Sequence, residues 1–291
     1  MTAPEGSVAE LEFSLVVSTI GRPALLRRLV RSIEVEAIGC RLELIVVDQS
    51  DAQSAAGVLH AADLSYPWRV DTSPRGVSRG RNHGLSLATG RYVSFTDDDC
   101  WFPGTTLRAA ADALDADSSL LGVTTPLWNR EGEPHLLRWA GHTCGVSAAN
   151  YYRTSIGPTM FFRLVDARRV GGFDPNIGPG AGTPYGSCED ADFLLRALAL
   201  GNVQYLPSIG VHHDPFGDTD ESTLVDKMGA YGAGQGWFWR THRYPRWHVA
   251  YLLGRKLVKT ATLAAQGRAD EGRADMAFVR GAVRGLRATG P

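Results

Sequence analysis

Residues 92–102 read YVSFTDDDCWF, an apolar, β-prone run that ends at three consecutive aspartates, Asp97, Asp98 and Asp99. Carboxylates side by side raise one another's pKa unless something positive holds them together. Such a strand end calls for either a solvated turn or a cation. Upstream, the same design recurs. Phe13–Ser18 (FSLVVS) is a short run rich in β-branched residues, and the segment after it places Leu25, Leu29, Ile33 and Ala37 at helical spacing. LELIVVDQSD reads as a second buried strand ending at Asp48, AAGVLHAADL as a helix, Trp68–Val70 as a weak strand and RGRNHGLSLATG as a helix leading back into YVSF. This alternation predicts an α/β fold with a parallel sheet and helices on both faces. In such sheets the functional groups gather at the carboxyl ends of the strands, where Asp48 and Asp97–Asp99 both stand.

Downstream, PGTTLRAAADAL reads as a helix and LLGVTTPL as a strand, before a polar, aromatic stretch from Trp128 to Tyr152 breaks the alternation. PTMFFRLV and GGFD read as strand-like and EDADFLLRALALG as a helix, with VQYLP and IGVHHD expected to pair as strands near residue 214. Three basic helical segments follow. The expected organisation is an α/β domain over residues 10–218 and a basic, aromatic helical extension over 219–291.

At 291 residues, 44% hydrophobic and 21% charged, the chain has the composition of a globular protein able to bury a substantial core. Its four cysteines, Cys40, Cys100, Cys144 and Cys188, form no CxxC pair, which fits a reducing compartment and argues against a zinc knuckle. The opening MTAPEGSVAELE has neither a basic start nor an apolar core, and no apolar run approaches the length of a membrane span. The expected location is the cytoplasm. A net charge of −1 gives no electrostatic footprint for nucleic acid, but the charge is uneven: residues 235–291 hold eleven Lys/Arg against three Asp/Glu. A basic tail carrying Trp237, Trp239, Tyr244, Trp247 and Tyr251 suits the inner face of an anionic membrane, or packing on the α/β domain with its charges outward.

No GxGxxG, P-loop or HExxH is present. Gly76–Gly80 fits GxSxG, the hydrolase nucleophile elbow, but the lead-in DTSPR is not a buried strand, so Ser78 is not expected to be a nucleophile. A DxDxT phosphotransferase motif would need Thr where Trp101 stands. Metal plus nucleotide is the better reading: strand-end carboxylates hold Mg2+ or Mn2+ while phosphate oxygens complete the shell, and Arg75, Arg79 and Arg81 supply charge for a diphosphate.

The ordered blocks FSLVVSTIGRP, LIVVDQSD, GVSRGRNHGLSLATGRYVSFTDDD, GGFDPNIG, CEDADFLLRAL and GVHHD resemble the family 2 glycosyltransferases across about residues 13–214. The resemblance implies a GT-A fold, with a mixed sheet, and inverting transfer from a nucleoside-diphosphate sugar to an acceptor hydroxyl on a glycan or glycolipid. It implies that Thr19 and Arg22 line the nucleotide pocket, that Asp48 meets the base, and that Arg81 and Asn82 approach the ribose or diphosphate. Asp97 or Asp98 would face the ribose. Asp99, with Asp97 and His212, would hold Mn2+ or Mg2+; neighbouring residues of a strand face opposite ways, so only one of His212 and His213 is expected to reach the metal. Asp174 and Glu189 would border the acceptor and Asp190 would be the catalytic base. The glycine-rich run Gly178–Gly182 reads as a lid or an ordinary loop. Two rivals share the architecture: a sugar-1-phosphate nucleotidyltransferase, which lacks here its glycine-rich, lysine-ended loop, and a non-catalytic sugar-nucleotide or glycan-binding module.

Overall fold

The structure is a computed structural model describing residues 11–214 and 221–288, with the side chains of 221 and 269–271 not described. It comprises two compact units, one drawn from Met1–Pro74, Gly80–Gly172 and Phe193–Pro215, the other from Arg75–Arg79, Phe173–Asp192 and Phe216–Pro291. The expected domain limits at residues 10 and 218 lie outside the described residues.

In chain order the elements begin β1 (Phe13–Thr19), α1 (Pro23–Ala37), β2 (Leu42–Asp48), α2 (Ala55–Ala62), β3 (Trp68–Thr72), α3 (Val77–Leu87) and β4 (Tyr92–Asp97). Next come β5 (Cys100–Trp101), α4 (Thr106–Ala116), β6 (Leu120–Thr124), β7 (Leu127–Trp128), β8 (Cys144–Gly145), β9 (Met160–Arg163) and α5 (Leu164–Val170). The chain continues through α6 (Glu189–Leu198), β10 (Asn202–Tyr205), β11 (Val211–His213), α7 (Glu221–Thr241), α8 (Arg246–Ala265) and α9 (Ala269–Arg287).

The first unit is a mixed α/β layer. Its eight-stranded sheet runs β3-β2-β1-β4-β9-β6-β10-β8, and a small sheet runs β5-β11-β7. Strands β1 to β4 are parallel, as the alternation requires, but β9 runs antiparallel between β4 and β6. Residues 160–163 are the bulky run MFFR. Phe161 and Phe162 are fully buried, so β9 serves as a central strand with aromatic rings on both faces. Phe13 packs on Tyr92 and Phe161, and Phe193 packs on Phe95 and Phe162, with ring centroids 5.2–6.2 Å apart. These contacts weld β1, β4 and β9 to Phe193 of α6.

Four local expectations shift. The buried apolar stripe of α1 is Leu26, Leu29, Val30 and Ile33, displaced from the spacing Leu25/Leu29/Ile33/Ala37. PTMFFRLV is strand only over Met160–Arg163, then turns into α5. GGFD is no strand: Gly171 and Gly172 take φ +87° and +76°, a left-handed turn closing α5. VQYLP and IGVHHD do not pair, for β10 lies in the large sheet and β11 in the small one.

Two close approaches position the site. A Cβ on Gly84 would lie 2.2 Å from Val16 Cγ1, and one on Gly80 would strike Ser18, so only glycine lets α3 lie on β1 and carry Arg81 there. Glu36, buried on α1, accepts the backbone N–H groups of Gly104, Thr106 and Leu107 at 2.8–3.1 Å, anchoring the start of α4.

In the second unit α7 and α9 pack backbone to backbone. A Cβ on Gly236 would come 2.1 Å from Ala282 O, and one on Gly281 2.1 Å from Gly229 O. Helix α8 is tied to α9 by Lys256 and Lys259, each 2.7 Å from Asp275. The tail aromatics divide: Trp237 and Trp239 are buried, whereas Trp247 and Tyr251 are exposed.

Candidate active site

In the first unit the carboxyl ends of β1 and β4 are neighbours, with Ser18 opposite Asp97. The next residues therefore meet. Thr19 Oγ1 donates to Asp98 Oδ2 at 2.5 Å, and Asp98 is fully buried. Arg22, just past β1, grips both Asp98 oxygens and donates to Asp99 Oδ2 at 2.8 Å. Arg81, also buried, donates to Asp97 Oδ1 at 2.9 Å. The three aspartates are thus held by two arginines.

These contacts set the charge states. Desolvation pushes Asp98 up to about 6, against the pull of Thr19 and Arg22. Desolvation also raises Asp97; Arg81 opposes it and the Asp99 charge reinforces it. For Asp99 desolvation is outweighed by His213 and Arg22, which hold it at about 2. Desolvation disfavours the charged Arg22, but Asp98 and Asp99 raise it on balance.

The histidine turned toward the aspartates is His213, not His212. His213 Nε2 lies 3.6 Å from Asp99 Oδ1. His212, on the opposite face of β11, places Nδ1 2.6 Å from Asn129 O and stacks its ring on Trp101 at 5.2 Å. By strand alternation it is thus His213, and not the expected His212, that faces Asp99. Sequence left that register open, because β11 is a three-residue strand whose facing is fixed by β5 and β7.

Asp48 and Asn82 are engaged otherwise. Buried Asp48 accepts from Ser50 N and Oγ at 2.9 and 2.6 Å and from Ala55 N at 2.9 Å, bracing the loop into α2. Asn82 sits against the GGFD turn, its Oδ1 2.5 Å from where a Cβ on Gly172 would stand. Arg28 of α1 was not singled out by sequence. It donates to Asp99 O at 2.6 Å, pairs with Asp214, and lies 4.1 Å from the Trp101 ring centroid. No local signal marks it, since its partners are 71 and 186 residues away.

The second unit holds the other acidic set. Asp174 Oδ1 accepts from Asn176 N and Nδ2 at 2.9 and 3.0 Å. Buried Glu189 packs against Gly178, and Asp190 Oδ1 accepts from Ala191 N at 2.7 Å in the first turn of α6. That turn is anchored by Ser187, which donates to Tyr231 O at 2.9 Å, and by Asp192, 2.9 Å from His242. The run Gly178–Gly182 is tied at several points: Gly178 N donates to Tyr185 O, Val77 N to Pro179 O and Arg79 to Ala181 O. Ser78, near the start of α3, is buried and donates to Ile177 O at 2.9 Å.

The donor types available for a metal, Asp97, Asp99 and His213, are hard or borderline ligands that suit Mn2+ or Mg2+. The mutual repulsion of Asp97 and Asp99 is what a dication relieves, so the chemistry fits. Among the described residues, no three His, Cys, Asp or Glu side chains are gathered as a metal cage, and Arg22 and Arg81 occupy the carboxylates.

Residues 14–157 match the model of glycosyl transferase family 2. No curated protein matches the sequence. Among solved structures, a mannosyltransferase from Pyrobaculum calidifontis in complex with GDP-Man and Mn2+ is similar at TM-score 0.65 and 18% identity, covering 96% of this chain and 88% of that one. S. aureus TarS 1-349 in complex with UDP-GlcNAc is similar at TM-score 0.58 and 15% identity, covering 93% and 92%. Against the longer S. aureus TarS chain, at TM-score 0.57 and 18% identity, the similarity covers 76% of this chain and 39% of that one. These likenesses show the GT-A fold.

Proposed function

We propose that the chain, whose residues 14–157 match the model of glycosyl transferase family 2, is a metal-dependent, inverting enzyme of that family that moves a sugar from a nucleoside-diphosphate sugar to an acceptor hydroxyl. The observation that carries this reading is the Thr19–Arg22–Asp98–Asp99 cluster where β1 and β4 end side by side. The complexes of similar fold with UDP-GlcNAc and with GDP-Man and Mn2+ support the donor class.

In this reading Thr19, Arg22, Arg81, Asn82, Asp97 and Asp98 serve the donor. Asp48 keeps lone pairs for a nucleobase N–H beyond its three structural bonds. Asp97, Asp99 and His213 would hold Mn2+ or Mg2+, which supplies a Lewis acid for the diphosphate. Asp190 takes the acceptor's proton as its oxygen bonds to the anomeric carbon; the bond from that carbon to the diphosphate breaks, and the electron pair leaves with the nucleotide. Asp174 and Glu189 border the acceptor. A catalytic domain to about residue 218 with a helical extension, working in the cytoplasm or peripherally at the inner membrane face, completes the proposal.

Calorimetric titration of UDP, dTDP and GDP, each with and without Mn2+, tests the site. One nucleotide should bind tightly with metal and lose most of that affinity in Asp99→Ala. Binding of none to the folded protein would overturn the reading. With the donor identified, Asp190→Asn should retain nucleotide affinity while turnover falls about 10^2–10^4-fold.

A further inference from the structure

Helix α8 is unlike its neighbours. Its Val249 is buried and its Lys256 pairs with Asp275 of α9, yet Trp247, Tyr251 and Val258 are 72%, 58% and 67% exposed. Their spacing, with Gly254 between, is i, i+4, i+7, i+11, so they form one outward stripe, about 16 Å long at the helical rise. Leu257, 43% exposed, widens it. Arg246 flanks one side, and Arg255, whose guanidinium lies 5.7 Å from the Tyr251 ring, flanks the other. Residues 242–268 contain no Asp or Glu.

We propose that this face of α8 is the seat of an anionic lipid surface, with Trp247 and Tyr251 at the headgroup boundary, Leu257 and Val258 in the acyl margin, and Arg246 and Arg255 on lipid phosphates. Tryptophan and tyrosine flanked by arginine are the residue types that settle at that boundary. Charge decides the occupant. A second copy pairing face to face would set these cations against cations, with no acidic residue of α8 between them. An anionic bilayer supplies the missing countercharge along the whole stripe. Among the described residues no helix is long and apolar enough to cross a membrane, so α8 would lie on the surface. The inference rests on the peripheral-membrane element of the proposed function and not on glycosyl transfer, since it needs no donor or acceptor.

Sedimentation of the full chain with phosphatidylcholine vesicles, with and without 30% phosphatidylglycerol, tests it. The wild type should bind the anionic vesicles and release them at high salt. Arg246→Gln/Arg255→Gln should weaken partitioning about 25-fold, at roughly five-fold per cation. Trp247→Ser/Tyr251→Ser should weaken it comparably. Both variants should keep the wild-type melting temperature and nucleotide affinity, because the side chains are exposed. Equal binding to neutral and anionic vesicles, or variants that bind as well as wild type, would overturn the assignment to this face. So would concentration-dependent dimerisation abolished by the Trp247/Tyr251 change. Loss of nucleotide binding with intact vesicle binding would sink the catalytic reading alone.

Discussion

The strand ends of the first unit and the α7–α9 pair of the second are both tight, but by opposite means. At the strand ends, Asp98 is buried with its charge, held by Thr19 and Arg22, and the order comes from directional bonds between unlike charges. Between α7 and α9 the order comes from missing atoms: Gly232, Gly236 and Gly281 let carbonyls and Cα atoms meet where any side chain would collide. Charge chemistry announces itself in sequence by residue type. Close backbone approach leaves only glycines, which loops use as freely.

The sharpest way to break this contrast is at Gly281. A solvent-facing helix glycine changed to alanine gains stability, but here the new Cβ would stand 2.1 Å from Gly229 O and 2.9 Å from Ala233 N. Gly281→Ala should lower stability by about 3 kcal/mol, read by thermal or denaturant unfolding. An unchanged melt would mean that the helices do not pack as described.

A smaller effect is expected at the strand ends. Arg22→Ala leaves Asp98 buried with Thr19 alone, and removal of one partner of a buried pair is costly. Because the Arg22 side chain is 41% exposed and screened, the loss should be about 1–2 kcal/mol. Thr19→Val in the Arg22→Ala background should add less than it does in wild type if the three act as one network.

The smallest effect has the opposite sign. Gly254, on the outer face of α8, has nothing within 4 Å of its would-be Cβ. Gly254→Ala should stabilise by about 0.5–1 kcal/mol. Opposite signs for one substitution at two helix glycines would tie the α7–α9 contact to geometry and not to composition.

These pairs also explain what could be read in advance. The alternation of β1, α1, β2, α2, β3, α3 and β4 was legible, because fully buried parallel strands must be near-continuous apolar runs. The placing of Asp97–Asp99 at a strand end was legible from the apolar run before them, whereas Thr19 and Arg22 were marked only by the family resemblance. The antiparallel insertion of β9 was not, since MFFR has no feature distinguishing its direction. The choice of His213 over His212 was equally invisible, because it follows from how a three-residue strand is caught between β5 and β7. Arg28 escaped because its partners, Asp99 and Asp214, are brought to it only by the folded chain.

By itself the sequence determined the α/β pattern, the acidic strand end and the basic, aromatic character of the tail, since each follows from local periodicity, residue chemistry and charge. Only tertiary structure decided which carboxylate is caged, which histidine faces its neighbour Asp99, which glycines bear helix packing and which aromatics are left outside. Those depend on partners distant in sequence, and the direction of a side chain is set by what packs behind it.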